Sequence, residues 1–346
     1  MNNTADKSNN LPATLKRWLD ISEVHFPGII DRASHSLATL LQKNLSKNAH
    51  QDAWKFSSLA GGFPVEFTFK TNQRGIQYTV DVAAAEVVPQ QVLPYALELL
   101  SQLQPDTLTE QDLDFFSTMQ QCGKLSYGCW VGGQHCSDAD EYKLYIEVPE
   151  GGDSMAVEWL NRQLPFDIDL YRKPIAQHNK IKLEIIGYSL KSKDIECYFS
   201  IVDMAPWEID EILKPVGMEQ QRDSLVEQLQ GAYQSAIYRK LPSREMGFSY
   251  AFSPATKHKA FSLYTFASSM FGSDRHAREA ILSLCDKMNC NMDYYDQFTA
   301  QGGLNKSETS NHGLFGIALD SNANTTIYTG LRPHKIAPKP QQASNQ

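Results

Sequence analysis

The strongest constraint on this chain is a repeat. Five times along its length a strand, a short polar turn and a second strand follow one another, and a helical stretch follows each of the first four. Self-similarity at a period of tens of residues marks a fold assembled from copies of one supersecondary unit. In the first unit the strands read 63–70 and 76–82 around a turn at 71–75, with a helical run at 90–103. The second has strands 127–132 and 142–148, a turn through 138–141 and a helix at 154–164. The third has strands 182–190 and 195–201, a turn at 191–194 and helices at 206–213 and 221–236. The fourth has strands 247–252 and 260–267, a turn at 253–257 and a helix at 275–288. The fifth has strands 313–319 and 325–331 around a turn at 320–324, and no helix after it. Helical patterns at 11–20 and 27–42 are expected to fill that vacant place. Asn72, Gly75, Asp138, Asp140, Ser192, Ser253, Pro254, Asp320 and Asn322 supply the turn chemistry where the chain must reverse.

Five hairpins make ten antiparallel strands. An open sheet of that size leaves two edges to protect, whereas closure removes them. Alternation within the second strands assigns the faces. Leu144, Ile146 and Val148 oppose Lys143, Tyr145 and Glu147. Ile195, Cys197, Phe199 and Ile201 oppose Glu196, Tyr198 and Ser200, and Tyr78, Val80 and Val82 oppose Gln77, Thr79 and Asp81. An apolar outside under helices and a polar inside describe a wide barrel with a lumen able to hold a substrate. The expected class is therefore α+β: a ten-stranded antiparallel β-barrel of five ββα repeats surrounded by helices.

Composition agrees with a globular chain: 42% of residues are hydrophobic and 21% charged. The net charge of −8 gives no electrostatic footprint for nucleic acid or anionic membrane. No apolar stretch is long enough to span a bilayer, and the polar start MNNTADKSNN lacks the apolar core of a signal peptide. A cytoplasmic protein is the expectation, with residues 1–10 and 336–346 as disordered tails. Residues 11–335 are expected to form one barrel domain, with N-terminal helices within 11–45 and the repeats within 54–333. The six cysteines show no Cys-x-x-Cys pair, and Cys129, His135 and Cys136 lack zinc spacing, so no metal site is expected there. His135, His258, His276 and His312 read as solvated or loop residues. Gly132-Gly133 and Gly302-Gly303 belong to no strand–loop–helix unit and are not phosphate loops; the first pair is expected to end a strand.

Two segments carry a family resemblance. Gly62-Phe63-Pro64-Val65-Glu66 resembles the Gly-x-Pro-x-Glu segment that leads into the first strand of the ABBA (αββα) aromatic prenyltransferases, most closely the tryptophan dimethylallyltransferase branch. Lys143-Leu144-Tyr145 resembles that family's Lys-x-Tyr strand, and Tyr198, Tyr264 and Tyr328 recur at the equivalent register in the next three repeats. The resemblance implies transfer of an allylic prenyl group from a prenyl diphosphate to an indole or other aromatic acceptor. It implies Glu66 as the base, Lys143 as a diphosphate contact, and the four tyrosines as a shield around the carbocation. The chemistry is reasonable on its own terms. A buried carboxylate takes the proton released by the attacked ring, and tyrosine faces stabilise a cation while excluding water. Trp130, on the first strand of the second repeat, either stacks on the acceptor from inside or packs under a helix.

The expected donor site is short of cations. Where the family places basic residues two before the shielding tyrosines, and an arginine in the first unit, this chain has Gln77, Lys143, Glu196, Ser262 and Thr326. Glu66, Asp81, Glu147 and Glu196 then face a single lysine. Like charges about 4 Å apart repel by roughly 4 kcal/mol at an effective dielectric of about 20, so an unassisted diphosphate is disfavoured. Magnesium bridging carboxylates and diphosphate is one remedy; a cation from elsewhere is another, with Arg332, just beyond Tyr328, the foremost candidate. Three functions remain open: prenyl transfer, with no cofactor or with magnesium; a natural-product enzyme, such as a cyclase, that uses Glu66 as acid or base on an aromatic or cationic substrate without a prenyl diphosphate; and a non-catalytic small-molecule binding protein.

Overall fold

The computed structural model describes residues 11–45, 57–59, 63–83, 87–105, 108–168, 181–302 and 311–333. The expected tails, Gly61-Gly62 and Gly303 lie outside the described residues. Ten strands form one closed antiparallel barrel: β1 (Val65–Lys70), β2 (Gly75–Val80), β3 (Cys129–Cys136), β4 (Asp140–Glu147), β5 (Ile181–Ser189), β6 (Ile195–Val202), β7 (Glu245–Phe252), β8 (Lys259–Phe266), β9 (His312–Asp320) and β10 (Thr325–Leu331). Neighbours in sequence are neighbours in space, and β10 returns to β1 with Phe67 opposite Leu331 and Lys70 opposite Tyr328.

The faces follow the alternation. In β6 the outward Ile195, Cys197, Phe199 and Ile201 are buried, whereas Glu196, Tyr198 and Ser200 stay partly exposed to the lumen. The contrast decides that the interior is hollow: Leu144 and Cys197 have 0% exposure, but the side chains of Lys143 and Glu196, deep between the strands, keep 20% and 18%.

The outer face is covered by α1 (Ala13–His25), α2 (Ile30–Leu40), α3 (Val92–Leu100), α4 (Glu110–Gln120), α5 (Asp153–Gln163), α6 (Glu208–Leu213), α7 (Arg222–Tyr233), α8 (Ala267–Phe271), α9 (Asp274–Lys287) and α10 (Asp293–Gly302). Three of them, α4, α8 and α10, are absent from the sequence expectations. Thr109 starts α4 by accepting a hydrogen bond from the Asp112 amide, an N-cap signal present in the sequence. The place beside the fifth hairpin is shared: Phe298 of α10 packs against Phe69 of β1 at 4.8 Å, and Trp18 of α1 packs against both Phe298 (4.4 Å) and Phe67 (5.2 Å).

The second repeat departs most from expectation. β3 does not end at Gly132-Gly133 but runs through it to Cys136, because a strand tolerates glycine where a neighbouring ring needs the space. A Cβ on Gly133 would lie 2.6 Å from the Tyr78 ring. Two of the histidines are likewise buried, not solvated. His135 shares hydrogen bonds with Tyr78 (2.8 Å) and Asp140 (2.9 Å), and His312 with Tyr295 (2.7 Å) and Asp274 (2.6 Å). Arg32 of α2 completes the first cluster by donating to Asp140 and to the Cys136 carbonyl.

Candidate active site

Glu66 points from β1 into the lumen, where its carboxyl group lies flat against two glycines. A Cβ on Gly313 or on Gly330 would come within 2.0 Å of one of its oxygens. Gly330 sits where β10 slips register against β9, between Thr329 and Leu331, and such bulges re-aim the chain that follows. Here that chain carries Arg332, whose Nε stands 3.8 Å from Glu66 Oε2. A second guanidinium nitrogen donates to the His312 carbonyl at 3.0 Å. Arg332 is buried, and its charge faces Glu66. Burial raises the pKa of Glu66, Arg332 pulls it part of the way back, and the net direction is upward.

Tyr145, Tyr198, Tyr264 and Tyr328 form an aromatic collar around the lumen. Centroids of Tyr145 and Tyr198 are 5.8 Å apart, those of Tyr198 and Tyr264 are 6.4 Å apart, and Tyr264 and Tyr328 flank Gly316 from its two sides. Each ring lies over a glycine of the neighbouring strand. Gly132 lies under Tyr145, Gly187 under Tyr198, Gly247 under Tyr264 and Gly316 under Tyr328, so close that an added Cβ would meet the ring at between 2.1 and 3.1 Å. The glycines let the rings lie back against the wall and leave the centre open. This pairing of a glycine in the first strand with a tyrosine in the second is a signal that the sequence carries and the strand pattern alone does not show.

On the wall built by β4, β5 and β6, Lys143 is engaged. Its Nζ donates to Glu196 Oε2 at 2.5 Å and to the Tyr198 hydroxyl at 2.9 Å. Glu196 also accepts from Tyr198 and Ser249, both at 2.6 Å. Burial works against both charges. The pair overcomes it, so Lys143 is held above the usual lysine range and Glu196 below the usual carboxylate range. Gln77 lies on the lumen face of β2, opposite Gln134.

Two carboxylates expected among the lumen charges have other tasks. Asp81 accepts from the Ser58 amide, the Ser57 and Ser58 hydroxyls and the Ala83 amide. Glu147 accepts from the amides of Ser126, Tyr127 and Gly128. Both hold loops at one end of the barrel. There Trp130, on the lumen side of β3, stacks on Tyr127 at 4.0 Å and 12° and donates its indole N–H to Ser58 at 2.7 Å. Tyr127 was not anticipated, and neither were two other groups. Glu184, at a register slip in β5, bonds Lys182 and Ser200, each at 2.8 Å. Lys70 shares the lumen face of β1 with Glu66 and Thr68, and alternation from Glu66 onward suffices to place it there.

Among the described residues no group of three or more His, Cys, Asp and Glu is disposed to hold a metal ion. Glu196 and Glu184, the lumen acids nearest the collar, already accept from lysine and hydroxyl donors. Among the described residues, then, the lumen acids do not form a ready magnesium seat.

No protein-family model matches the sequence, and no curated protein matches it. Solved structures do match in fold. The apo form of the prenyltransferase PriB superimposes with a TM-score of 0.73 at 11% identity, over 94% of this chain and 96% of that one. The fold is that of the ABBA prenyltransferases. A 6-dimethylallyltryptophan synthase from Micromonospora olivasterospora, in complex with DMASPP and Trp, superimposes at 0.73 and 16% identity, over 96% of this chain and 99% of that one. AnaPT from Neosartorya fischeri does so at 0.67 and 11%, over 92% of each chain. No helix among the described residues is long and apolar enough to cross a membrane.

Proposed function

We propose that this chain is an aromatic prenyltransferase that joins an allylic group to an indole or another electron-rich ring inside the barrel. The observation that carries the proposal is that a tyrosine collar and a glycine-cradled glutamate with a raised pKa share one lumen. The allylic C–O bond breaks with its electron pair leaving on the diphosphate. The acceptor ring attacks the allylic carbon, a new bond to carbon forms, and the ring proton passes to Glu66. The collar faces stabilise the allylic cation and keep water from capturing it. Trp130 and Tyr127 offer a flat surface at the Glu66 end on which an aromatic acceptor stacks.

A second reading has its own support. The Lys143–Glu196 pair fills the wall where a diphosphate would need cations, which suits an enzyme that works on an aromatic or cationic substrate without a prenyl diphosphate, Glu66 acting as acid or base.

Both are tested by incubating the protein with dimethylallyl or geranyl diphosphate and a panel of indoles and phenols, with and without magnesium, and reading products by mass spectrometry. Prenyl transfer gives acceptor-plus-prenyl masses that vanish in Glu66→Gln. Absence of product and of donor binding by calorimetry, in folded protein, would remove the first reading. Turnover of an aromatic substrate alone would establish the second. Ligand binding with no turnover would make this a binding protein.

A further inference from the structure

The cations of the lumen are distributed unevenly. Lys143 is paired with Glu196, Lys182 with Glu184, and Arg332 faces Glu66. Lys70 differs: among the described residues no carboxylate stands within ion-pair distance of it, and burial pushes its pKa down with only the Cys136 thiol working the other way. It lies opposite Tyr328, at one end of the collar. The next two strands bring Gln77 and Gln134 opposite each other on the lumen face, and Gln134 donates to Cys136 at 3.4 Å. The Gln77 carboxamide oxygen is buried and accepts no hydrogen bond among the described residues. One wall thus holds an ammonium without an acid and two carboxamides, beside a shielding tyrosine. The opposite wall holds a neutralised lysine.

An ammonium partly shielded from water without a counter-charge is disfavoured, and a bound anion relieves that cost. Lysine is a compact phosphate binder and carboxamide N–H groups add directional donors. We propose that the anion-binding pole of this lumen is the β1–β2–β3 wall, with Lys70 as the charge and Gln77 and Gln134 as donors, and that it takes the terminal phosphate oxygens of an allylic diphosphate. The inference rests on the prenyl-transfer reading for the identity of the ligand, but not for the existence of the pole. It moves the donor's head group from the Lys143 wall to the far side of the collar, so the allylic carbon approaches from Tyr328.

The test is calorimetric titration of the folded protein with inorganic pyrophosphate. Losing one charge-assisted contact weakens binding by roughly ten- to a hundredfold, and that loss is expected in Lys70→Met but not in the double change Lys143→Met with Glu196→Gln, which removes the pair without stranding a carboxylate. Lys70→Arg should retain binding and keep it to higher pH than the parent, whose affinity falls as the pH rises through the lowered lysine pKa. Gln77→Arg in the Lys70→Met background, which returns a cation to the adjoining strand, should recover affinity. Pyrophosphate binding that depends on Lys143 and ignores Lys70 overturns the proposal, as does no pyrophosphate binding at all. Prenylated product with Lys70→Met as active as the parent overturns it while leaving prenyl transfer standing. Lys70-dependent pyrophosphate binding with no product from any donor upholds the pole and removes prenyl transfer.

Discussion

At the scale of single residues, the proposed prenyl transfer turns on how the charges of Glu66 and Arg332 hold each other. A carboxylate against glycine backbone loses water, which favours its neutral form, and Arg332 opposes that from 3.8 Å. In the proposed reaction Glu66 must be ionised to accept a proton, so kcat/KM should fall as pH drops through an apparent pKa above the ordinary glutamate range. Arg332→Met removes the group that lowers this pKa, so the acid limb of the profile should move to higher pH. Glu66→Gln should cost about a hundredfold or more in product formation, the scale of a lost general base. Steady-state rates between about pH 5 and pH 9 check all three. An acid limb unchanged by Arg332→Met would mean that the arginine does not tune the base. Asp274 helps to position this corner: it bonds the Asn311 and His312 amides and the His312 ring, and these bonds overcome burial to hold its pKa at about 2.

At the scale of elements, each of the last four hairpins has a glycine in its first strand under a tyrosine ring of its second. The arrangement predicts coupling between the two strands. In Gly316→Ala the new Cβ would stand 2.3 Å from the Tyr328 ring, so the ring must swing into the lumen. The expected loss is about 1–3 kcal/mol, the usual range for overpacking. Combining it with Tyr328→Ala should cost less than the two single changes summed, since the ring that clashes is gone. Urea unfolding of the four proteins measures the coupling, and strict additivity would show that the glycine is not there for the ring. The turns have a matching regularity: Asn72, Lys193, Lys257 and Ala323 adopt left-handed conformations in four of the five hairpins. Only Asn72 belongs to a residue type that favours that region.

At the scale of the whole molecule, closure is the governing fact. The β1–β10 pairing joins residues about 260 positions apart, as in Phe67 opposite Leu331, so the first hairpin has no free edge. Amides of β1 and β10 that bond across this seam should exchange with solvent about as slowly as those in the β5–β6 ladder, since none opens at an edge. Hydrogen exchange followed by mass spectrometry decides it. Fast exchange confined to 65–70 and 325–331 would mean an open seam in solution. Closure also gives the lumen its chemistry, because four tyrosines from four repeats and one glutamate from the first converge only when the ends meet.

The local sequence determined the units. Alternating apolar residues, Asn and Asp at the reversals, and tyrosines at one register were enough to read five hairpins, a polar interior and the collar, while Glu66 and Lys143 stood out through the Gly-x-Pro-x-Glu and Lys-x-Tyr resemblances. These features depend on neighbours a few residues apart. The tertiary structure alone decided how the interior charges are spent. Lys143 meets Glu196 across 53 residues and Arg332 meets Glu66 across the seam, while Asp81 and Glu147 turn away to bind loop amides. Such pairings depend on barrel shear and on the bulges at Glu184 and Gly330. A bulge shifts which side chains face each other without leaving a mark in the alternation that sequence reading follows.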